Sequence, residues 1–425
     1  MPFRIALSGI NAASAELKVI GNNVANASTT GFKKSRAEFA DVYATSNLGI
    51  SQNAIGSGAR VAAVAQQFTQ GNIGFTNNNL DLAINGQGFF VLNDGGVPAY
   101  TRSGAFQADR EGYIVNSQNQ RLTAFQADVN GNITGSRGDL QLSTSDISPR
   151  ASTAVTVAAN LNANATPFAP YPALPAFDRT DPTSYTNSTA VTLYDSLGNA
   201  NLGTMYYRKT SNANEYESHL WMTNGAGTPI EVVPNGNVAG QPANLTFSST
   251  GGITSVTPSL AGALTVDYAP VNPQTGAANM SFDVNYSKTT QYGSPFSVNA
   301  LTQDGFATGR LSGIDISDTG IVQSRFTNGQ SRALGQVATA NFSNPQGLRQ
   351  LGDTAWAETY DSGAALVGQP GSGSLGLVQS GALEGSNVDL TEQLVTMITA
   401  QRNFQANAQV ITTADAITQT IINIR

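Results

Sequence analysis

A chain of 425 residues with one histidine, His219, and no cysteine has few groups that could do metal or nucleophile chemistry. There is no thiolate, no disulfide, no Cys-type zinc or iron–sulfur site, and no two-histidine clamp. His219 lies between Ser218 and Leu220 on an expected strand, where the residue type suits a general base, a pH switch or simple packing. Gly371-Ser-Gly-Ser-Leu-Gly376 has the spacing of a dinucleotide cradle, yet it follows Gln369-Pro370 rather than a strand, so it reads as a linker. Asp315 and Asp318 have the composition of a glycosidase couple, but sequence spacing does not set carboxyl separation, and turn capping accounts for them as well. Trp221 and Trp356 read as core. The only cationic cluster is Lys33, Lys34 and Arg36 in a chain of net charge -7, which argues against a nucleic-acid partner. No catalytic residue, cofactor or metal is assigned, and function has to be sought in packing.

The elements available for packing are marked by proline. None occurs between Pro2 and Pro98 or after Pro370, while twelve of seventeen lie from Pro167 to Pro295; the two ends are therefore free to be helical. Between them the chain reads as β-rich. Phe89-Phe-Val-Leu92 ends at Asp94-Gly-Gly96 and Leu122–Val129 ends at Asn130-Gly131, both hairpin signals. Val191–Asp195, Gly203–Lys209 and Tyr216–Met222 suggest an antiparallel meander, and Thr166–Pro182, with five prolines, an extended hinge. The expected fold is mixed and mainly β: two antiparallel β domains in series plus an α-helical, coiled-coil-like domain formed by the N- and C-terminal segments. Its parts are 1–28 with 386–425 (helical), 29–70 with 377–385 (connecting), 71–148 with 291–376 (inner β) and 149–290 (inserted outer β).

The two ends carry heptad-like seams. Phe3, Ala6, Ile10, Ala13, Leu17, Ile20 and Val24 recur at three- and four-residue steps, and so, mostly, do Leu390, Leu394, Met397, Phe404, Ala408, Ile411, Ala414, Ile417, Ile421 and Ile424. Asn387 or Ser386 is the expected cap of the second helix, with Asp389 and Glu392 in its first turn. From Thr391 onward the only charges are Glu392, Arg402, Asp415 and Arg425. A solvated helix normally carries more, so enclosure by further helices is implied. The expectation is that both ends stay disordered in a lone copy and become helical when copies associate; an intramolecular coiled coil on the β core is the alternative.

Asn22-Asn-Val-Ala-Asn26-Ala-Ser-Thr-Thr30-Gly31-Phe32-Lys33 resembles the amino-terminal signature of the rod and hook family of flagellar axial proteins. Ser386-Asn-Val-Asp-Leu390, then Met397-Ile-Thr-Ala-Gln-Arg-Asn-Phe404-Gln-Ala-Asn407, is similar to the signature at the family's other end. Asn85-Gly-Gln-Gly-Phe89 and Tyr100-Thr-Arg-Ser-Gly104 are shared in kind with distal rod members, whereas Val191-Thr-Leu-Tyr-Asp195-Ser-Leu-Gly198-Asn resembles the outer domain of the hook branch.

The resemblance implies a structural subunit, not an enzyme. Copies would polymerise into a curved hollow tube that transmits torque and conducts later subunits, with the distal rod protein, the hook cap, the hook–filament junction proteins and the flagellar export apparatus as further partners. It implies an extracellular place in the hook, reached without membrane insertion; the amino terminus does not read as a cleaved signal peptide. A distal rod subunit and a β-rich surface adhesin are the alternatives. In the helix-exit motif, Asn22, Asn23, Asn26 and Thr30 suit local backbone bonding and left-handed geometry, Gly31 a turn, and Phe32 an anchor. Lys33, Lys34 and Arg36 are expected on a solvated face.

Overall fold

Pro2 in the first helical turn, and no proline after it, let the amino-terminal periodicity close into α1, Pro2–Ala25. At the other end Asp389 stops the preceding extended chain: its carboxylate accepts from the Thr391 and Glu392 amides at 2.8 and 3.2 Å, starting α2, Leu390–Asn423. The cap is therefore Asp389 rather than Asn387 or Ser386, because Asn387 is drawn off to bond the Lys34 amide and the Gln67 and Thr69 carbonyls. The computed structural model describes residues 2–42, 56–128, 131–142, 145–173, 176–225 and 227–423; Asn130 of the expected second hairpin turn lies outside them.

Cα proximity divides the chain into two units. The first comprises Met1–Thr144, Ser312–Arg325 and Ser331–Arg425. Its main sheet is antiparallel through Ser331–Val337, Arg121–Ala127, Phe89–Asp94, Val97–Thr101, Ala355–Ala357 and Arg349–Gly352 in that order. The run Phe89-Phe90-Val91-Leu92 is apolar throughout because both faces of its strand are covered. Phe90 and Leu92 join Leu82, Ile84 and Val337 on one side, while Phe89 and Val91 join Tyr100, Phe342 and Trp356 on the other. The Gly371–Gly376 stretch is a tight turn, with the Gly371 amide donating to the Gly376 carbonyl at 3.1 Å.

The second unit comprises Ser145–Leu311 and Phe326–Gln330. Asn187–Tyr194, Ala200–Lys209 and Glu215–Thr223 form the expected meander and continue into Ala243–Phe247 and Ile253–Thr257. A second sheet centres on Ala154–Asn162, and the two share one core of residues such as Val157, Leu161, Leu193, Met205 and Tyr207. Ala154–Asn162 also makes two short parallel pairings, with Asp283–Asn285 and Thr290–Tyr292. Residues 291–311, expected with the inner β domain, stay in this unit because Ser297–Gln303 runs antiparallel to Ala154–Asn162.

Nor is Thr166–Pro182 a hinge. Phe168 exchanges backbone bonds with Lys209 and Ser211, the Tyr171 amide donates to Glu217 Oε1 at 2.6 Å, and the Phe177 ring stacks on His219 at 4.1 Å. Its aromatic residues bind it down as a strap, which its proline content alone did not reveal. His219 is thereby buried, and burial lowers its pKa to about 3, so it is a neutral packing residue. Trp356 is core, its Nε1 donating to Gln66 at 2.6 Å; Trp221 is only half-buried, with Arg179 over its ring.

Candidate assembly interface

The two helices come from opposite ends of the chain and pair antiparallel. Asn23 Nδ2 meets Gln393 Oε1 at 3.0 Å at one end of the pair, Gly9 faces Asn407 so closely that a Cβ would overlap it, and Phe3 lies beside Val410 and Ile417 at the other. Both ends are thus helical within a single copy, where the sequence reading expected disorder before association. The helices cover one face of each other, which removes part of the cost of ordering either alone.

Along the expected α1 seam, Ala6, Ala13 and Ile20 are buried at seven-residue intervals, Ile10, Leu17 and Val24 are half-buried, and Phe3 is exposed. The expected α2 residues split between faces. Met397, Ala408, Ile411 and Ala414 are half-buried, while Leu390, Leu394, Phe404 and Ile417 are exposed. Ile424 and the side chain of Ile421 lie outside the described residues. Pattern reading missed buried Gln393 and Ala400 and half-buried Asn407. Their signal is a strict heptad, 393, 400, 407 and 414, of small or amide residues that matches Ala6, Ala13 and Ile20.

The chain leaving α1 is fixed by side chains. Asn23, buried, accepts from the Ser35 amide at 2.9 Å and donates to the Ser35 carbonyl at 2.8 Å. Asn26 Nδ2 donates to the Asn22 carbonyl at 2.9 Å, and its Oδ1 accepts from Thr29 at 3.2 Å. None of these asparagines is left-handed; within the motif that conformation falls to Gly31, with φ of 70°. A Cβ there would also lie 2.5 Å from the Ser103 nitrogen, so the tight approach of this exit to the Tyr100–Gly104 motif requires glycine. Thr30 and Phe32 are half-buried, and the Phe32 amide donates to the Thr29 carbonyl at 3.2 Å.

Lys33 is not on a solvated face. Its ammonium meets Glu384 Oε1 at 2.6 Å with neither side chain exposed, and it also donates to the Thr69 carbonyl at 2.8 Å. Arg102 meets the other Glu384 oxygen at 3.0 Å and the Gly86 carbonyl at 2.7 Å, and the Gly71 amide completes the carboxylate at 2.8 Å. Burial pulls both cations below their ordinary pKa values, with Glu384 opposing the shift. Asn387 accepts from the Lys34 amide at 2.7 Å and donates to the Gln67 and Thr69 carbonyls. Lys34 and Arg36 do form exposed pairs, with Glu392 and Glu38. The cluster thus ties the outgoing chain, the returning chain and the β sheet together where the helix pair begins.

Among the described residues no group of three or more His, Asp or Glu is placed to hold a metal, and no helix is long and apolar enough to cross a membrane. Asp315 is paired with Arg325 at 2.7 Å, and the Asp318 carbonyl accepts from Val378.

Four family descriptions match the chain: "Flagella basal body rod protein" over 3–33, "Flagellar hook protein FlgE/F/G D1 domain" over 83–162, "Flagellar basal body protein FlaE D2 domain" over 160–306 and "Flagellar basal body rod FlgEFG protein C-terminal" over 379–424. The flagellar hook proteins FlgE of Salmonella typhimurium and of Escherichia coli K12 are each 36% identical, covering 100% of both chains. That of Borreliella burgdorferi is 33% identical over 99% of this chain and 98% of its own. The crystal structure of Helicobacter pylori flagellar hook protein FlgE2 shares the fold, with a TM-score of 0.52 at 14% identity over 73% of this chain and 99% of that one.

Proposed function

The chain belongs to the flagellar hook protein family, and from that premise we propose that its two ends polymerise side by side into the wall of the hook, a curved hollow tube acting as universal joint and export conduit. The family is structural and not enzymatic, and full-length relatives named as hook proteins favour the hook over the distal rod. One observation carries the reading: the paired helices cover each other on one face and leave Leu390, Leu394, Val395 and Ile398 exposed on α2, and Phe3 and Leu7 on α1. An apolar surface of that kind on an almost uncharged helix pair calls for neighbours.

The finer partners follow from the same reading: the distal rod protein below, a cap during growth, junction proteins above, and an export apparatus that passes the chain without a cleaved signal. Electron microscopy of the concentrated full chain, beside a chain lacking residues 1–24, tests it. Curved tubes from the first and none from the second are expected. Tubes from both would refute a role for the helix pair.

A further inference from the structure

The exposed apolar residues of the helix pair form two separate sets. At the start of α2, Leu390, Leu394, Val395 and Ile398 are 49, 51, 61 and 50% exposed and stand on adjacent turns as a raised patch. Toward the other end, Phe3, Val410 and Ile417, with Thr413 and Ala414, line a groove of about 750 Å³ whose exposed lining is mostly apolar. The centres of patch and groove are some 20 residues apart, or roughly 30 Å along α2 at ~1.5 Å per residue, and about a third of a turn apart around its axis. The first is a set of exposed side chains on one helix and the second a groove lined by both helices, so the two surfaces are unlike.

That difference decides the symmetry of association. Like-on-like contact closes into a two-fold dimer, whereas joining two different surfaces leaves each copy with one surface free and propagates without limit. We propose that the patch of one copy seats in the groove of the next, giving a head-to-tail contact with an axial stagger of about 30 Å between joined copies. This rests on the tube-forming reading above and names the partner surface within it. The occupant is a second copy because an unbounded polymer needs two unlike complementary surfaces on one chain, and both are present on this one helix pair.

The test uses the full chain with charges placed on exposed positions, where folding tolerates them: Val395→Lys on the patch, and Ile417→Lys or Ile417→Glu in the groove. Far-ultraviolet circular dichroism confirms the helices, and sedimentation with electron microscopy reads assembly. Each variant alone is expected to raise the concentration needed for tubes at least about tenfold. Mixing Val395→Lys with Ile417→Lys leaves one intact contact per pair and is expected to stop at dimers. Mixing Val395→Lys with Ile417→Glu supplies one native and one charge-paired contact and is expected to restore tubes. Normal assembly of either single variant, tubes from the Lys/Lys mixture, or none from the Lys/Glu mixture overturns the head-to-tail contact. Failure of the unaltered chain to form tubes would count instead against the broader reading.

Discussion

Replacing Glu384 by glutamine keeps the side chain's size but leaves two buried cations, Lys33 and Arg102, around a neutral amide. The carboxylate accepts the Lys33 ammonium at 2.6 Å, Arg102 at 3.0 Å and the Gly71 amide at 2.8 Å, with none of the three side chains more than 4% exposed. Removing one member of a buried charged set while its partners remain costs about 3–5 kcal/mol, because the uncompensated charge has no water to turn to. With a urea dependence of roughly 2–3 kcal/mol per molar, the unfolding midpoint of the first unit should fall by about 1–2.5 M. Trp356, buried in that unit, reports the transition by fluorescence in a Trp221→Phe background. Arg36→Ala, which breaks an exposed pair with Glu38, is the control and should cost about 0–1 kcal/mol. Adding Lys33→Met to Glu384→Gln removes one of the two stranded cations and should recover part of the loss. A Glu384→Gln midpoint no lower than that of Arg36→Ala would refute the assignment of the cluster as the fixed point of the junction.

Three further outcomes are expected. His219 titrates at about 3 when folded, against 6.5 for the free side chain; the unfolded chain therefore takes up its proton first as pH falls. Its contribution to the second unit is fully present above pH 6.5 and is lost progressively toward pH 3, by at most about 5 kcal/mol. Trp221 fluorescence in urea at pH 7 and pH 4 measures the loss, which His219→Phe should reduce and which should persist unchanged if the strap does not bury the ring. Asn23→Ala removes both bonds to Ser35 and the bond to Gln393 and should cost about 1–3 kcal/mol, read as faster hydrogen exchange at the start of strand Ser35–Asp41; unchanged exchange would contradict it. Because only 12% of the residues are charged, the bending stiffness of the proposed tube should change little between 0.1 and 1 M salt, and steep softening in flow or by optical trapping would count against that account.

Local pattern located α1, α2 and the meander of the second unit because each is written in consecutive residues: period 3.6 with no proline, or alternation closed by a turn. Asp94-Gly95-Gly96 turned the chain as read, with both glycines at positive φ. The buried cluster was illegible for the opposite reason. Lys33 and Glu384 are 351 positions apart and Arg102 is 282 from Glu384, and a lysine beside another lysine gives no local sign that one is enclosed and the other wet. The family resemblance marked Lys33 as part of a motif without saying what holds it. On α2, apolar residues occupy two faces, so counting them selected a mixture of the partner-facing seam and the outer patch. The inner face is instead spelled by Gln393, Ala400 and Asn407, which hydropathy passes over because their role is close approach and amide bonding.

The placement of charge links these observations. Charged residues make up only 12% of the chain, and α2 carries few on the faces left to neighbours, yet three charges are committed to a single dry cluster. A salt bridge on a sliding surface has to break and re-form each time copies shift, whereas amide and hydroxyl groups exchange partners at little net cost. A buried cluster responds in the opposite way, since opening it strands charge in a medium that cannot solvate it. In the proposed tube, torque passing between the helix pair and the sheet would cross the segments that Lys33, Arg102 and Glu384 join. An unyielding junction between helices and sheet keeps deformation out of that junction, and exchangeable amide and hydroxyl surfaces would let contacts between copies of the proposed tube take it up. A tube of such subunits can bend while the connection within each one holds.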